Sequence, residues 1–70
     1  MLSLGEAMPP KAIELEKLIL KDGWYFVRQV GSHKQYKHPT KPGTVTIPFH
    51  SKEVSIIVEH SVRKQAGLKK

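Results

Sequence analysis

The sequence contains no cysteine. That excludes a disulfide framework and every thiolate metal site. No apolar run approaches the ~20 residues that a membrane span requires. The N-terminus lacks the charged start and apolar core of a signal peptide. The expectation is a soluble cytosolic protein that engages no membrane. Acidic side chains are also scarce where they would matter most: between Gly23 and Lys52 there is no carboxylate at all. Length sets a further limit. Seventy residues form one domain, which buries roughly 60% of its unfolded surface and is stable by about 4–10 kcal/mol. A chain this short has no room for a deep substrate cavity, so any site must lie on a surface or in a shallow groove.

What is present is positive charge. Twelve Lys and Arg against six Asp and Glu give a net charge of +6. The carboxylate-free middle holds Arg28, Lys34, Lys37, Lys41 and Lys52, together with His33, His38 and His50. A basic middle flanked by acidic residues points to a polyanion, most simply nucleic acid. The ordinary alternative is a set of solubilising lysines.

Residues 1–8 show no periodicity and read as a fraying extension, with a single domain over 9–70. Pro9 and Pro10 suit the first turn of a helix. Ala12, Leu15, Leu18 and Ile19 then form an apolar stripe opposite Glu14, Lys17 and Lys21, which is an amphipathic helix. Asp22-Gly23 ends it, with Gly23 as the left-handed cap. The aromatic and β-branched run from Trp24 to Val30 reads as a strand. Gly31-Ser32 fits a two-residue hairpin loop, and His33 to His38 is the return strand. After a turn at Pro39–Gly43, Thr44 to Ile47 forms a third strand stopped by Pro48. Apolar residues at 54, 57, 58, 62 and 66 predict a second helix over Val54–Ala66, ended by Gly67. Ile56 falls off that stripe, at an exposed or partner-facing position. The expected fold is therefore α+β: α-β-β-β-α, a three-stranded antiparallel sheet with both helices on one face and the other face open.

If Gly31-Ser32 is the whole loop, Val30 pairs with His33, Arg28 with Gln35 and Val27 with Tyr36. Tyr25, Val27 and Tyr36 then point into the core with Val45 and Ile47. Phe26, Arg28, His33, Gln35 and Lys37 share the open face. A one-residue bulge would invert this arrangement.

On that face His33 is the candidate for chemistry. An imidazole accepts and donates protons near neutral pH. Arg28, Lys34 and Lys37 could hold a phosphate and offset charge developing on it. Such a set suits RNA cleavage, in which a histidine assists 2′-hydroxyl attack or protonates the leaving oxygen. The competing description is an ordinary exposed histidine in a turn. Ser32 adjoins His33, but no acid is evident to orient a serine–histidine pair. A metal site is not expected: His33 and His38 point to opposite faces and no carboxylate lies nearby. His38, His50 and His60 read as surface or cap residues. In the run Trp24-Tyr25-Phe26, packing suits Trp24 and Tyr25, while Phe26 is left for base stacking.

The ordered set Asp22-Gly23-Trp24, Val27-Arg28-Gln29, Gly31-Ser32-His33, Tyr36-Lys37-His38-Pro39, Thr44-Val45-Thr46-Ile47-Pro48 and Val62–Leu68 resembles the HicA toxin family of small mRNA interferases. The resemblance covers roughly residues 12 to 68. It implies a fold like that of double-stranded-RNA-binding domains. It also implies mRNA cleavage without a metal or cofactor, arrest of translation, and His33 as the catalytic residue. Arg28, Lys34, Lys37 and Ser32 are the RNA-binding candidates beside it. The partner the family implies is a HicB-type antitoxin that masks the histidine in a toxin–antitoxin hetero-oligomer. Two features depart from the pattern: the extension over 1–8, and the absence of a Pro-Gly before the last helix, which would let that helix begin earlier. A rival reading is a non-catalytic RNA-binding module of the same fold, using Arg63, Lys64, Lys69 and Lys70. A third is a chain whose charge serves mainly to bind an acidic protein.

Overall fold

The computed structural model describes residues 11–68. The element order is α1 (Ala12–Lys21), β1 (Tyr25–Val30), β2 (His33–Lys37), β3 (Val45–Pro48) and α2 (Ile56–Gln65). The strands form one antiparallel sheet in the order β1-β2-β3, and β2 is central. The α-β-β-β-α expectation holds. The prolines expected to open the first helix, and Lys69 and Lys70, lie outside the described residues.

The apolar stripe of α1 packs as its spacing dictates. Ala12, Leu15 and Ile19 are buried, while Leu18 is half-buried at the margin. They meet Trp24, Tyr36, Val45, Ile47, Val54, Val62 and Ala66 in one core. Both helices lie against β3, over the β2–β3 half of the sheet. The start of α1 is tied to the segment before α2: the Ala12 N–H donates to the Lys52 carbonyl at 3.0 Å.

Both helices end alike. After α1 the Gly23 N–H donates to Leu20 O and the Trp24 N–H to Ile19 O; after α2 the Gly67 N–H donates to Lys64 O and the Leu68 N–H to Arg63 O. This is the Schellman arrangement, which needs a residue with positive φ after the helix cap. Gly23 supplies φ +108°, and a Cβ there would sit 2.7 Å from His38 Nε2. Gly23→Ala is therefore expected to cost about 2–3 kcal/mol from left-handed strain and crowding. Gly31→Ala, where φ is +60° and a Cβ meets nothing within 4 Å, is expected to cost about 1 kcal/mol. Thermal unfolding of the two variants checks the order.

His38 explains that crowding. Its Nδ1 accepts from the backbone N–H groups of Thr40 (3.0 Å) and Lys41 (3.1 Å). Nε2 therefore carries the proton and donates to the Asp22 carbonyl at 2.8 Å. The ring also packs edge-on to Trp24, centroids 5.2 Å apart. His38 is a structural pin between the β2–β3 loop and the end of α1. Beside it Lys41 bridges Asp22 Oδ2 (2.6 Å) and the Ala66 carbonyl (3.1 Å), placing one cation at the C-terminal ends of both helices, where the helix dipoles favour it. The hydrogen bond from Lys41 holds the Asp22 carboxyl below the ordinary carboxylate range. Its folded value is depressed, so its contribution is complete above the ordinary Asp value of about 4 and is lost as the pH falls through the lowered value. Asp22→Asn is expected to flatten this part of the acid-unfolding curve, read by circular dichroism against pH.

Three expectations are corrected. β1 carries a bulge: Arg28 pairs with Gln35 and Phe26 with Tyr36, which leaves Val27 as the extra residue. The loop side of the register is as expected, with Val30 opposite His33. Beyond the bulge the faces exchange. Phe26, expected on the open face, shares a face with Tyr36, ring centroids 6.0 Å apart. Tyr25 and Val27, expected in the core, are 51% and 42% exposed. All of β1 is exposed because the helices cover the other half of the sheet. Second, α2 begins at Ile56 rather than at Val54 or earlier. Ser55 caps it, its hydroxyl accepting from the Val58 N–H at 3.1 Å, which is a favoured helix start. Val54 is buried ahead of it, whereas Ile57 is 75% exposed. Third, Trp24 packs in the core before β1 begins, β2 ends at Lys37, and Pro48 is the last residue of β3, as an edge strand permits.

Candidate functional site

The open face is built around the hairpin. Gly31 takes positive φ at the first loop position, and the loop closes after Ser32 with Val30 opposite His33. His33 is thereby the first residue of the central strand, exposed. Alternation along β2 puts Gln35 and Lys37 on the same face at roughly 7 Å intervals. Pairing adds Val30, Arg28 and Tyr25 from β1 and Thr46 and Pro48 from β3. The Arg28 guanidinium donates to Gln35 Oε1 at 2.6 Å. Arg28, Gln35, Lys37, Val27 and Thr44 line a shallow depression of about 140 Å³. This matches the limit set by chain length: the face offers a shelf, not a cavity.

The site candidates divide. His33, Arg28 and Lys37 share the open face. Lys34 does not: it points to the helix side, 3.9 Å from Glu16 Oε2 and 4.3 Å above the Phe49 ring. Glu16 also accepts from the Tyr36 hydroxyl at 2.6 Å. Burial, and then Glu16, hold that phenol far above the ordinary tyrosine range, so Tyr36 remains a neutral donor in the core. Lys41, part of the basic middle, is committed to Asp22 and Ala66. Ser32 sits half-buried in the loop.

Sequence reasoning missed one residue. His50, read as a surface or cap residue, stands beside His33: the ring centroids are 6.5 Å apart and the planes cross at 83°. The segment after β3 returns to the hairpin, where the Phe49 N–H donates to the Ser32 carbonyl at 2.7 Å. Phe49 turns inward beneath Lys34, and His50 turns to the side of His33. Seventeen positions separate the two histidines in the chain, so no local spacing shows the pair. The available signal was Pro48 opposite His33, once β2 and β3 are aligned. Among the described residues, no group of three or more His, Cys, Asp or Glu is placed to hold a metal ion, and no helix is long and apolar enough to cross a membrane.

Comparison with known proteins bears on this face. No curated protein matches the chain. A chain solved in a toxin–antitoxin complex from Streptococcus pneumoniae superimposes with a TM-score of 0.72 at 33% identity. The superposition covers 86% of the present chain and 100% of that one. The family model for the HicA toxin of bacterial toxin–antitoxin systems matches residues 13–68, which takes in α1 from its second residue, the whole sheet, the Gly-Ser-His loop and α2. The chain belongs to the HicA toxin family.

Proposed function

We propose that this protein is the toxin of a toxin–antitoxin pair and acts as an endoribonuclease that cleaves mRNA without a metal or cofactor, thereby inhibiting translation. One observation carries the reading: an exposed histidine at the start of the central strand shares an open sheet face with Arg28 and Lys37, in a stretch without a carboxylate. His33 acts as general acid or base on the ribose–phosphate linkage. Arg28 and Lys37 neutralise the phosphate charge that grows during attack. Ser32 supplies a hydrogen-bonding group at the loop. Lys34, turned toward Glu16, adds positive potential from behind the strand. The substrate places the work in the cytoplasm.

An antitoxin of the HicB type is the partner. The family membership supports it, and so does the likeness to a chain solved in a toxin–antitoxin complex. The open face is where such a protein would mask His33, and the exposed apolar residues Tyr25, Val27 and Val30 beside it offer contact area.

The test is cleavage of single-stranded RNA by the purified protein, with and without chelator, set against His33→Ala. Cleavage that resists the chelator and is lost with His33 supports the reading. Salt-sensitive binding without cleavage would make the chain a non-catalytic RNA-binding module instead.

A further inference from the structure

We infer that His50 is a second acid–base residue of this face, and that His33 and His50 divide between them the two proton transfers of RNA cleavage. The inference rests on the ribonuclease reading and gives it a chemical mechanism.

The chemistry asks for two groups. The 2′-oxygen attacks the adjacent phosphorus, forming the 2′-O–P bond while the P–O5′ bond breaks. One group takes the proton of the 2′-hydroxyl. Another delivers a proton to the departing 5′-oxygen. The products are a 2′,3′-cyclic phosphate and a 5′-hydroxyl, and protons balance when one imidazole gains what the other gives. No oxidant, reductant or co-reactant enters. A lone histidine cannot serve as base and acid in the same displacement. Without a second group, one of the two transfers falls to solvent.

The structure supplies the second group at a suitable place. With ring centroids 6.5 Å apart, a phosphodiester can be approached by one imidazole on the nucleophile side and by the other on the leaving-group side. Both rings belong to exposed residues, so RNA can reach them. Their separation is set by two anchors. Pro48 pairs with His33 across the sheet, and the next residue, Phe49, is held by the Ser32 carbonyl and by Lys34 above its ring. His50 is thus carried on a segment fixed on both of its faces. Charged residues of the strands and segment that carry the pair are Lys34, whose ammonium is directed to Glu16, Arg28 and Lys37 on the open face, and Lys52 and Glu53 beyond His50. The charged residues that share the open face with His33, Arg28 and Lys37, are cationic, as a phosphate-binding face requires. Among the described residues, no third His, Cys, Asp or Glu is grouped with the two histidines for a metal.

The experiment compares wild type, His33→Ala, His50→Ala and His50→Gln on a single-stranded RNA oligonucleotide. A matched oligonucleotide carries sulfur in place of the bridging 5′-oxygen at the cleaved linkage. A thiolate leaves without a proton, so that substrate no longer needs the acid. His50→Ala and His50→Gln are expected to lower kcat by about 100-fold or more, with little change in RNA binding and no change in thermal unfolding. The pH–rate profile should lose one limb. The sulfur substrate should restore only one of the two alanine variants, and the one restored lacks the acid. Wild-type kcat in the His50 variants would overturn the inference while leaving the ribonuclease reading intact. So would a change confined to KM, or sulfur rescue of both variants or neither. Absence of cleavage by the wild type would instead overturn the reading beneath it.

Discussion

His33→Ala is expected to abolish RNA cleavage and growth arrest while leaving the fold unchanged. General acid–base catalysis by one positioned side chain is worth about 10²–10⁴-fold in rate, and nothing else in the Gly-Ser-His loop can take its place. The side chain is exposed at the first position of β2, and its backbone pairings with Val30 and Pro48 do not depend on the imidazole. The stability change should stay within about 0.5 kcal/mol, as for exposed positions away from caps and core. Cleavage rate on single-stranded RNA and the thermal midpoint of the same preparation give the two readouts. Undiminished cleavage by this variant in a nuclease-free preparation rejects the role. Loss of cleavage with a matching loss of the fold would show that His33 serves the sheet instead.

The second large effect is on stability, and it tests which strands the helices cover. Tyr36→Ala should cost about 3–5 kcal/mol, as for truncation of a large buried ring. That is much of the roughly 4–10 kcal/mol available to a chain this size. Tyr36 is 0% exposed on the central strand, packed with Ile19, Val45 and Ile47 in the core, and its hydroxyl holds Glu16. Tyr25→Ala should cost no more than about 1 kcal/mol, the span of strand preferences at an exposed site. The two tyrosines look alike in the sequence, where both are expected in the core, but Tyr25 stands on β1, which the helices leave uncovered. Chemical denaturation separates the cases: similar losses for both variants would mean that β1 is covered as β2 is.

The loop end of the hairpin was legible because it is local. A Gly-Ser pair between two strand-like runs sets the pairing of Val30 with His33, and parity then places His33, Gln35 and Lys37 on one face. The bulge was not legible. It needs no glycine or proline to mark it, and an edge strand accepts an extra residue because only one side of its ladder is bonded. Its effect is nonetheless large, since a shift of one residue exchanges Tyr25 and Phe26 between the faces. The exposure of all of β1 was hidden for a related reason. Apolar periodicity says that a helix buries its stripe, but not over which strands.

By itself the amino-acid sequence determined the order of helices and strands, the glycine that ends each helix, the basic middle without a carboxylate, and the family motif with His33 at its centre. These rest on short-range chemistry: apolar spacing, the φ that glycine allows, and charge along the chain. Only the tertiary structure decided which cations face the site. It left Arg28 and Lys37 with His33, turned Lys34 to Glu16, and committed Lys41 to the two helix ends. It also made His38 a structural pin and brought His50 to His33. Those outcomes depend on which segments meet in space. A hydrogen bond from Phe49 to Ser32 joins residues far apart in the chain, and no local pattern encodes it.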